Sequence, residues 1–134
     1  MTLVVDASVA VKWVLPEAGS ERAVAIRTAD ENLIAPSLAC AEIGGAIWRA
    51  VLRGDVSATE ARDYLKIAVA HYQRIILLEE LTDAAMALAI RLKHPIYDCF
   101  YLALAERERC ALVTADARLI AAAKGIRNVE VRAL

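Results

Sequence analysis

Leu112-Val113-Thr114-Ala115-Asp116 is a short apolar run that ends in a carboxylate, and Asp98 stands shortly before it. Charged residues precede the run and Asp116 closes it, which predicts a buried strand that delivers an acid at its end. The same pattern opens the chain, where Leu3-Val4-Val5 is closed by Asp6. A further acid, Glu42, is the only one between Ser37 and Leu52. Acids in such apolar company are not spread for solubility. They predict one shared site.

Outward from that stretch, short apolar runs alternate with helical patterns. Thr2 to Val5 reads as a strand, and Ala7 to Leu15 as a short helix stopped by Pro16. Ser20 to Asp30 has helical spacing, and Leu33 to Ala35 reads as a strand before Pro36. Ser37 is expected to cap a long apolar helix, with Gly54 at its C-terminal cap. Ser57-Ala58-Thr59-Glu60 has capping-box spacing and predicts a helix to about Tyr72. Ile75 to Leu78 reads as a strand, and Thr82 as the cap of a helix over Asp83 to Lys93. After Pro95 a helix is expected from about Tyr97 to Arg109. Beyond the 112–114 strand come a helix to Lys124, a stop at Gly125 and a last strand near Val129 to Val131. The alternation predicts an α/β fold, one domain over residues 1–134, with a central parallel sheet of about five short strands and helices on both faces.

A chain of 134 residues suits one compact core and leaves little room for a second. Its formal net charge of −1 gives no global attraction to nucleic acid or to an acidic membrane. Any such binding then needs a local basic patch or a bound cation. Cys40, Cys99 and Cys110 are odd in number and form no C-x-x-C pair, which argues against a disulfide framework or a cysteine zinc site. A reducing cytoplasm fits better. Asp6 and Lys12 interrupt the apolar N-terminus, and no run approaches the ~18 apolar residues of a membrane helix, so no membrane is expected.

In an open parallel sheet, strand ends and the starts of the following helices share one edge, where ligands bind. Asp6 and Asp116 each close a predicted strand, Asp98 lies in the first turn of its helix, and Glu42 about a turn and a half into its own. All four acids should therefore meet. The competing account makes Asp6, Asp98 and Asp116 helix caps and Glu42 an isolated buried or half-wet glutamate. Two carboxylates ~5 Å apart repel by roughly 3 kcal/mol at an effective dielectric near 20. Four need protons or a cation among them. Oxygen ligands without Cys or His suit Mg2+ or Mn2+, and His71 and His94 read as surface or loop residues outside the group. Such an ion is a tool of phosphoryl chemistry, so the spacing predicts a metal-dependent phosphoesterase. Arg49 and Arg53 share a helical stripe with Glu42. Arg49, ~10 Å along the axis, is a candidate phosphate contact, unless both simply wet an apolar helix.

VVDASV with Asp6 and Ser8, PSLACAEIGGAIWRA with Glu42, and YDCFYLALAERERCALVTADARL with Asp98, Thr114 and Asp116 occur in the order found in PIN-domain nucleases. The chain resembles that family, and especially the VapC-type toxins of toxin–antitoxin pairs, along nearly its whole length. The resemblance implies a PIN fold, endoribonuclease cleavage of single-strand-type RNA with Mg2+ or Mn2+, a homodimer and a cognate antitoxin. It makes Asp6, Glu42, Asp98 and Asp116 the acidic quartet, with Asp6, Asp98 and Asp116 as metal ligands. Thr114 and Ser8 would support them by hydrogen bonds. Trp13 and Trp48 become candidates for an antitoxin groove or a dimer contact, or else core. The rivals are a receiver-like phosphoacceptor switch, a haloacid-dehalogenase-type phosphatase and a PIN fold kept only for protein binding. The first wants an acidic pair after the first strand, and the second wants D-x-D where position 8 is Ser.

Overall fold

The computed structural model describes residues 1–134. In order come β1 (Thr2–Val5), α1 (Ala7–Ala10) running into a 3-10 turn (Val11–Trp13), α2 (Ser20–Thr28), β2 (Asn32–Pro36), α3 (Leu38–Leu52) and α4 (Ala58–Ala70). β3 (Arg74–Ile76), a 3-10 turn (Leu78–Glu80), α5 (Thr82–Leu92), α6 (Ile96–Glu108), β4 (Ala111–Thr114), α7 (Ala117–Ala123) and β5 (Val131–Ala133) follow. All five strands are parallel, in the order β3-β2-β1-β4-β5. Parallel strands need covered faces, and β1, β2 and β4 are buried along almost their whole lengths. The strand order is not the 2-1-3-4-5 of a receiver fold, so the phosphoacceptor-switch reading is corrected here.

The chain first builds outward from β1 to β2 and β3, then returns across the sheet to lay β4 on the other flank of β1. That reversal puts the topological switch point between the C-terminal ends of β1 and β4. Val5 lies opposite Val113, and the Asp6 amide donates to the Val113 carbonyl at 3.0 Å. The acid after β1 is thereby held beside Thr114. Helix α6, the return crossover, runs past β2, β1 and β4 and packs on α5. Every residue from Cys99 to Ala105 is buried because the helix is covered on several sides. The 38 buried apolar residues form one continuous core.

Local chemistry explains most boundaries. The Ser57 hydroxyl accepts the Glu60 amide while the Glu60 carboxylate accepts the Ser57 amide, as the capping box predicts. Helix α3 ends in a Schellman turn: the Asp55 amide donates to the Ala50 carbonyl, the Gly54 amide donates to Val51, and Gly54 has φ 82°. An alanine at Gly54 would meet no atom within 4 Å, so its cost is backbone strain alone. Gly54→Ala is expected to lower stability by about 1 kcal/mol with an unchanged folded spectrum, measured by urea denaturation.

Two expected caps are corrected. Ser37 does not cap α3; its residue is already helical, and its hydroxyl instead accepts the Leu78 amide at 3.1 Å, tying the end of β2 to the turn after β3. Thr82 does not cap α5 either: it is the first helical residue, Leu81 holds the N-cap position, and the Thr82 hydroxyl donates back to the Glu79 carbonyl at 3.3 Å. The expected strand over Ile75 to Leu78 shortens to Arg74–Ile76, and the last strand lies at Val131–Ala133. No helix is long and apolar enough to cross a membrane.

Candidate functional site

Asp6, Glu42, Asp98 and Asp116 line one cleft of about 180 Å3, together with Ser8 and Arg49. Asp6 arrives from the end of β1, Asp116 from the end of β4, Asp98 from the first turn of α6 and Glu42 from the second turn of α3. The register of β1 on β4 aligns the first two. The return crossover α6 brings the third over the same edge.

Asp6 is buried and precedes α1 without a side-chain capping hydrogen bond. Instead Ser8 Oγ and Thr114 Oγ1 both donate to Asp6 Oδ2, at 2.6 and 2.7 Å. Each hydroxyl is oriented from behind by a backbone amide. Ala115 donates to Ser8 Oγ and Asp116 donates to Thr114 Oγ1, both at 3.0 Å. With an amide on the hydroxyl oxygen, the O–H is left to point at the carboxylate. Burial raises the proton affinity of Asp6 above its ordinary value. The two hydroxyls oppose that shift, and the charge of Asp98 reinforces it.

Glu42 is half-buried and accepts from the Tyr101 hydroxyl at Oε1, 2.6 Å away. Its proton affinity is likewise raised, first by burial and then by the charges of Asp6, Asp98 and Asp116, against the hydrogen bond from Tyr101. Asp98 Oδ2 lies 2.6 Å from Nε2 of His94, four residues earlier in the loop that leads into α6. Asp116 does cap its helix, its Oδ1 accepting the Arg118 amide at 2.9 Å. In Glu42, Asp98 and Asp116 one oxygen is thus held by the protein, and the other takes no hydrogen bond.

Three neighbours of the acids are invisible to the pattern that finds the acids themselves. His94, expected as a surface or loop residue outside the group, lies in the loop between α5 and α6 but is the partner of Asp98, with 14% of its side chain exposed. His94 lies just outside α6, before Pro95 at the helix's N-terminal cap, so helical spacing does not announce the contact. Tyr101 follows Asp98 by three residues on one face of α6. Tyr72 donates to the Val5 carbonyl at 2.8 Å, just before Asp6, and no local spacing announces it. His71 lies in the turn after α4, outside the acidic group as expected, with its ring edge-on to Trp13. Trp13 is core, donating to the Ala23 carbonyl, whereas Trp48 is exposed. Arg49 borders the acidic cleft. Arg53 lines a different cleft and pairs with Asp55 at 3.0 Å.

The residues fit a hard dication in kind. The donors are all oxygens, two of the acids are destabilised in their charged form, and none of the four forms an ion pair with a lysine or arginine. No three His, Cys, Asp or Glu side chains are arranged to enclose an ion by themselves.

A family model described as PIN domain matches residues 3–125. The chain is 35% identical over 121 residues to VapC ribonuclease Mb0985 of Mycobacterium bovis, covering 87% of each chain. It is 31% identical over 121 residues to Ribonuclease VapC3 of Pyrobaculum aerophilum, covering 89% of this chain and 92% of the relative. In fold it is similar to VapBC2 from Rickettsia felis bound to a promoter DNA fragment, with a TM-score of 0.73 and 15% identity, covering 100% of this chain and 99% of that one.

Proposed function

Because the chain belongs to the PIN-domain family, among its VapC ribonucleases, we propose that it is the endoribonuclease toxin of a VapBC-type pair, and that its site cleaves RNA with Mg2+ or Mn2+. The observation that carries this reading is the convergence of Asp6, Glu42, Asp98 and Asp116 on one cleft, none of them in an ion pair with a lysine or arginine. Asp6, Asp98 and Asp116 would hold the ion, directly or through water. A dication bound there supplies positive charge to the phosphoryl oxygen and makes the attacking water more acidic.

The chain's own residues supply the rest. Ser8 and Thr114 hold Asp6 so that its charge is placed before substrate arrives. Glu42, whose proton affinity burial raises, is the group suited to take the proton of the attacking water. The water oxygen bonds to phosphorus, the bond to the 3′ oxygen breaks and that oxygen takes a proton from solvent water, so the products carry a 5′-phosphate and a 3′-hydroxyl. Arg49 at the cleft edge is placed to meet a neighbouring phosphate. We assign the partners by kinship: a cognate antitoxin, and a second copy of the chain in a homodimer. Co-purification with the neighbouring gene's product, and light scattering of the isolated protein, test the two.

The decisive assay measures cleavage of structured and single-stranded RNA with Mg2+, with Mn2+ and with excess chelator. The expected result is cleavage restored by either ion and abolished by chelator. Metal-independent cleavage contradicts the metal reading, and no cleavage under any condition turns the chain into a PIN fold kept for protein binding.

Asp116 allows a separate test, because its Oδ1 caps α7 while its second oxygen is free. Asparagine caps about as well as aspartate. Asp116→Asn is therefore expected to melt within about 0.5 kcal/mol of wild type without metal, yet to lose most of the Mg2+-induced rise in melting temperature. Thermal melts with and without Mg2+ decide it. An unchanged Mg2+ response would leave Asp116 a cap only.

A further inference from the structure

Tyr101 is fully buried in the middle of α6, yet its hydroxyl reaches across to α3, where Glu42 Oε1 accepts it at 2.6 Å. No other side chain or backbone donor reaches Glu42. A buried hydroxyl needs an acceptor, and Tyr101 has no other. The phenol also stays protonated: burial, with the charges of Asp6 and Glu42, drives its proton affinity well above the ordinary tyrosine value. Its role as a donor is therefore permanent.

Glu42 needs such a tether. It is half-buried on a long, flexible stem, and Asp6, Asp98 and Asp116 face it from β1, α6 and the end of β4. Their common repulsion favours a rotamer that swings the carboxylate out to solvent. Fixing one oxygen keeps the group inside and leaves Oε2 unengaged. Asp98 and Tyr101 are three residues apart on α6, so one helical face supplies both an acid of the cleft and the tether of another.

We propose that Tyr101 is a positioning residue, whose hydroxyl holds the Glu42 carboxylate in the acidic cleft with one oxygen free for the attacking water. This rests on the reading of Glu42 as the group that handles the water's proton. Tyr101→Phe keeps the ring and removes only the tether. The expected result is a fall in kcat of about 10- to 100-fold, the range for losing an outer partner of a site group, with KM for RNA within about threefold. In a Glu42→Gln background the same substitution is expected to change kcat little, because the tethered base is already gone.

A readout independent of cleavage accompanies it. In metal-free protein with carbon-13-labelled glutamate, the Glu42 carboxyl is expected to titrate at higher pH in Tyr101→Phe than in wild type, since a donor to the charged form has been lost. Wild-type kcat in the variant, an unmoved Glu42 titration, or an equal loss of kcat in both backgrounds would overturn the proposal. If wild type itself does not cleave RNA, the functional reading fails, and the titration still decides whether Tyr101 holds Glu42. Should the phenylalanine variant not fold, fluorotyrosine in wild type replaces it. The Tyr101 fluorine signal is expected to follow the Glu42 titration and to lose that response in Glu42→Gln. A pH-independent signal would contradict the contact.

Discussion

Asp6→Asn is expected to lower RNA cleavage by about a thousandfold while leaving the metal-free protein at least as stable as wild type. The loss follows from removing a charge at the centre of the carboxylate cluster. A dication contributes several kcal/mol to a phosphoryl transition state, and about 4 kcal/mol corresponds to a thousandfold in rate. The preserved stability follows from the surroundings of the side chain. The asparagine carbonyl still accepts from Ser8 and Thr114. Burial and Asp98 already disfavour the charge that is removed. Single-turnover cleavage and chemical denaturation of the same sample test both halves. An active variant removes Asp6 from the chemistry, and an inactive one that is also unfolded leaves the loss to misfolding rather than to the ion.

The second large effect is in the coupling of stability to pH and metal. Asp6 and Glu42 both bind their protons more tightly folded than unfolded, chiefly through burial. Their contribution to stability is fully present below the ordinary carboxylate values, 3.8 and 4.5, and is lost as pH rises through the raised values. Without metal, the advantage of an Asp6→Asn, Glu42→Gln double variant over wild type should therefore grow with pH and vanish in acid. Mg2+ is expected to reverse the trend. At a hundred times its dissociation constant, a ligand of the folded state adds about 2.7 kcal/mol, which for a domain of this size is a rise of about 10 °C in melting temperature. The rise is expected at neutral pH in wild type, and neither in acid nor in the double variant. Equal Mg2+ responses in all three would place the ion elsewhere.

Much of the site was legible in the chain itself because its acids sit where polar groups are expensive. Asp6 and Asp116 each close an apolar run, and Glu42 is alone among sixteen positions of α3 and its flank. The alternation of strands and helices was enough to send these distant residues to one sheet edge. What stayed hidden was the partner chemistry. Tyr101 lies in an apolar stretch that reads as core, and it is core; its bond from α6 to Glu42 on α3 joins residues 59 apart in the chain, which no local pattern reveals. His94 precedes a proline and reads as loop, and only the turn it makes into α6 brings it to Asp98.

The misread caps fail for a related reason. Ser37 and Thr82 carry the right side chains, but the hydroxyl of Ser37 is taken by a distant amide, and Thr82 already lies inside its helix with its hydroxyl turned back to the Glu79 carbonyl. Helices α5 and α6 end on Lys93 and Arg109, at φ 51° and 52°, in a left-handed conformation that glycine usually signals. Their boundaries were therefore expected one residue late. Arg53 lay on the same predicted stripe as Arg49, yet Gly54 turns the chain so that Asp55 captures it.

The central claim is that four carboxylates share a pocket built for a hard dication. Anomalous diffraction from crystals grown with Mn2+ tests it most directly. The account predicts one or more manganese peaks in the cleft, within direct or water-mediated reach of Asp6, Asp98 and Asp116. A cleft without a peak at saturating Mn2+, in protein that cleaves RNA, would contradict it.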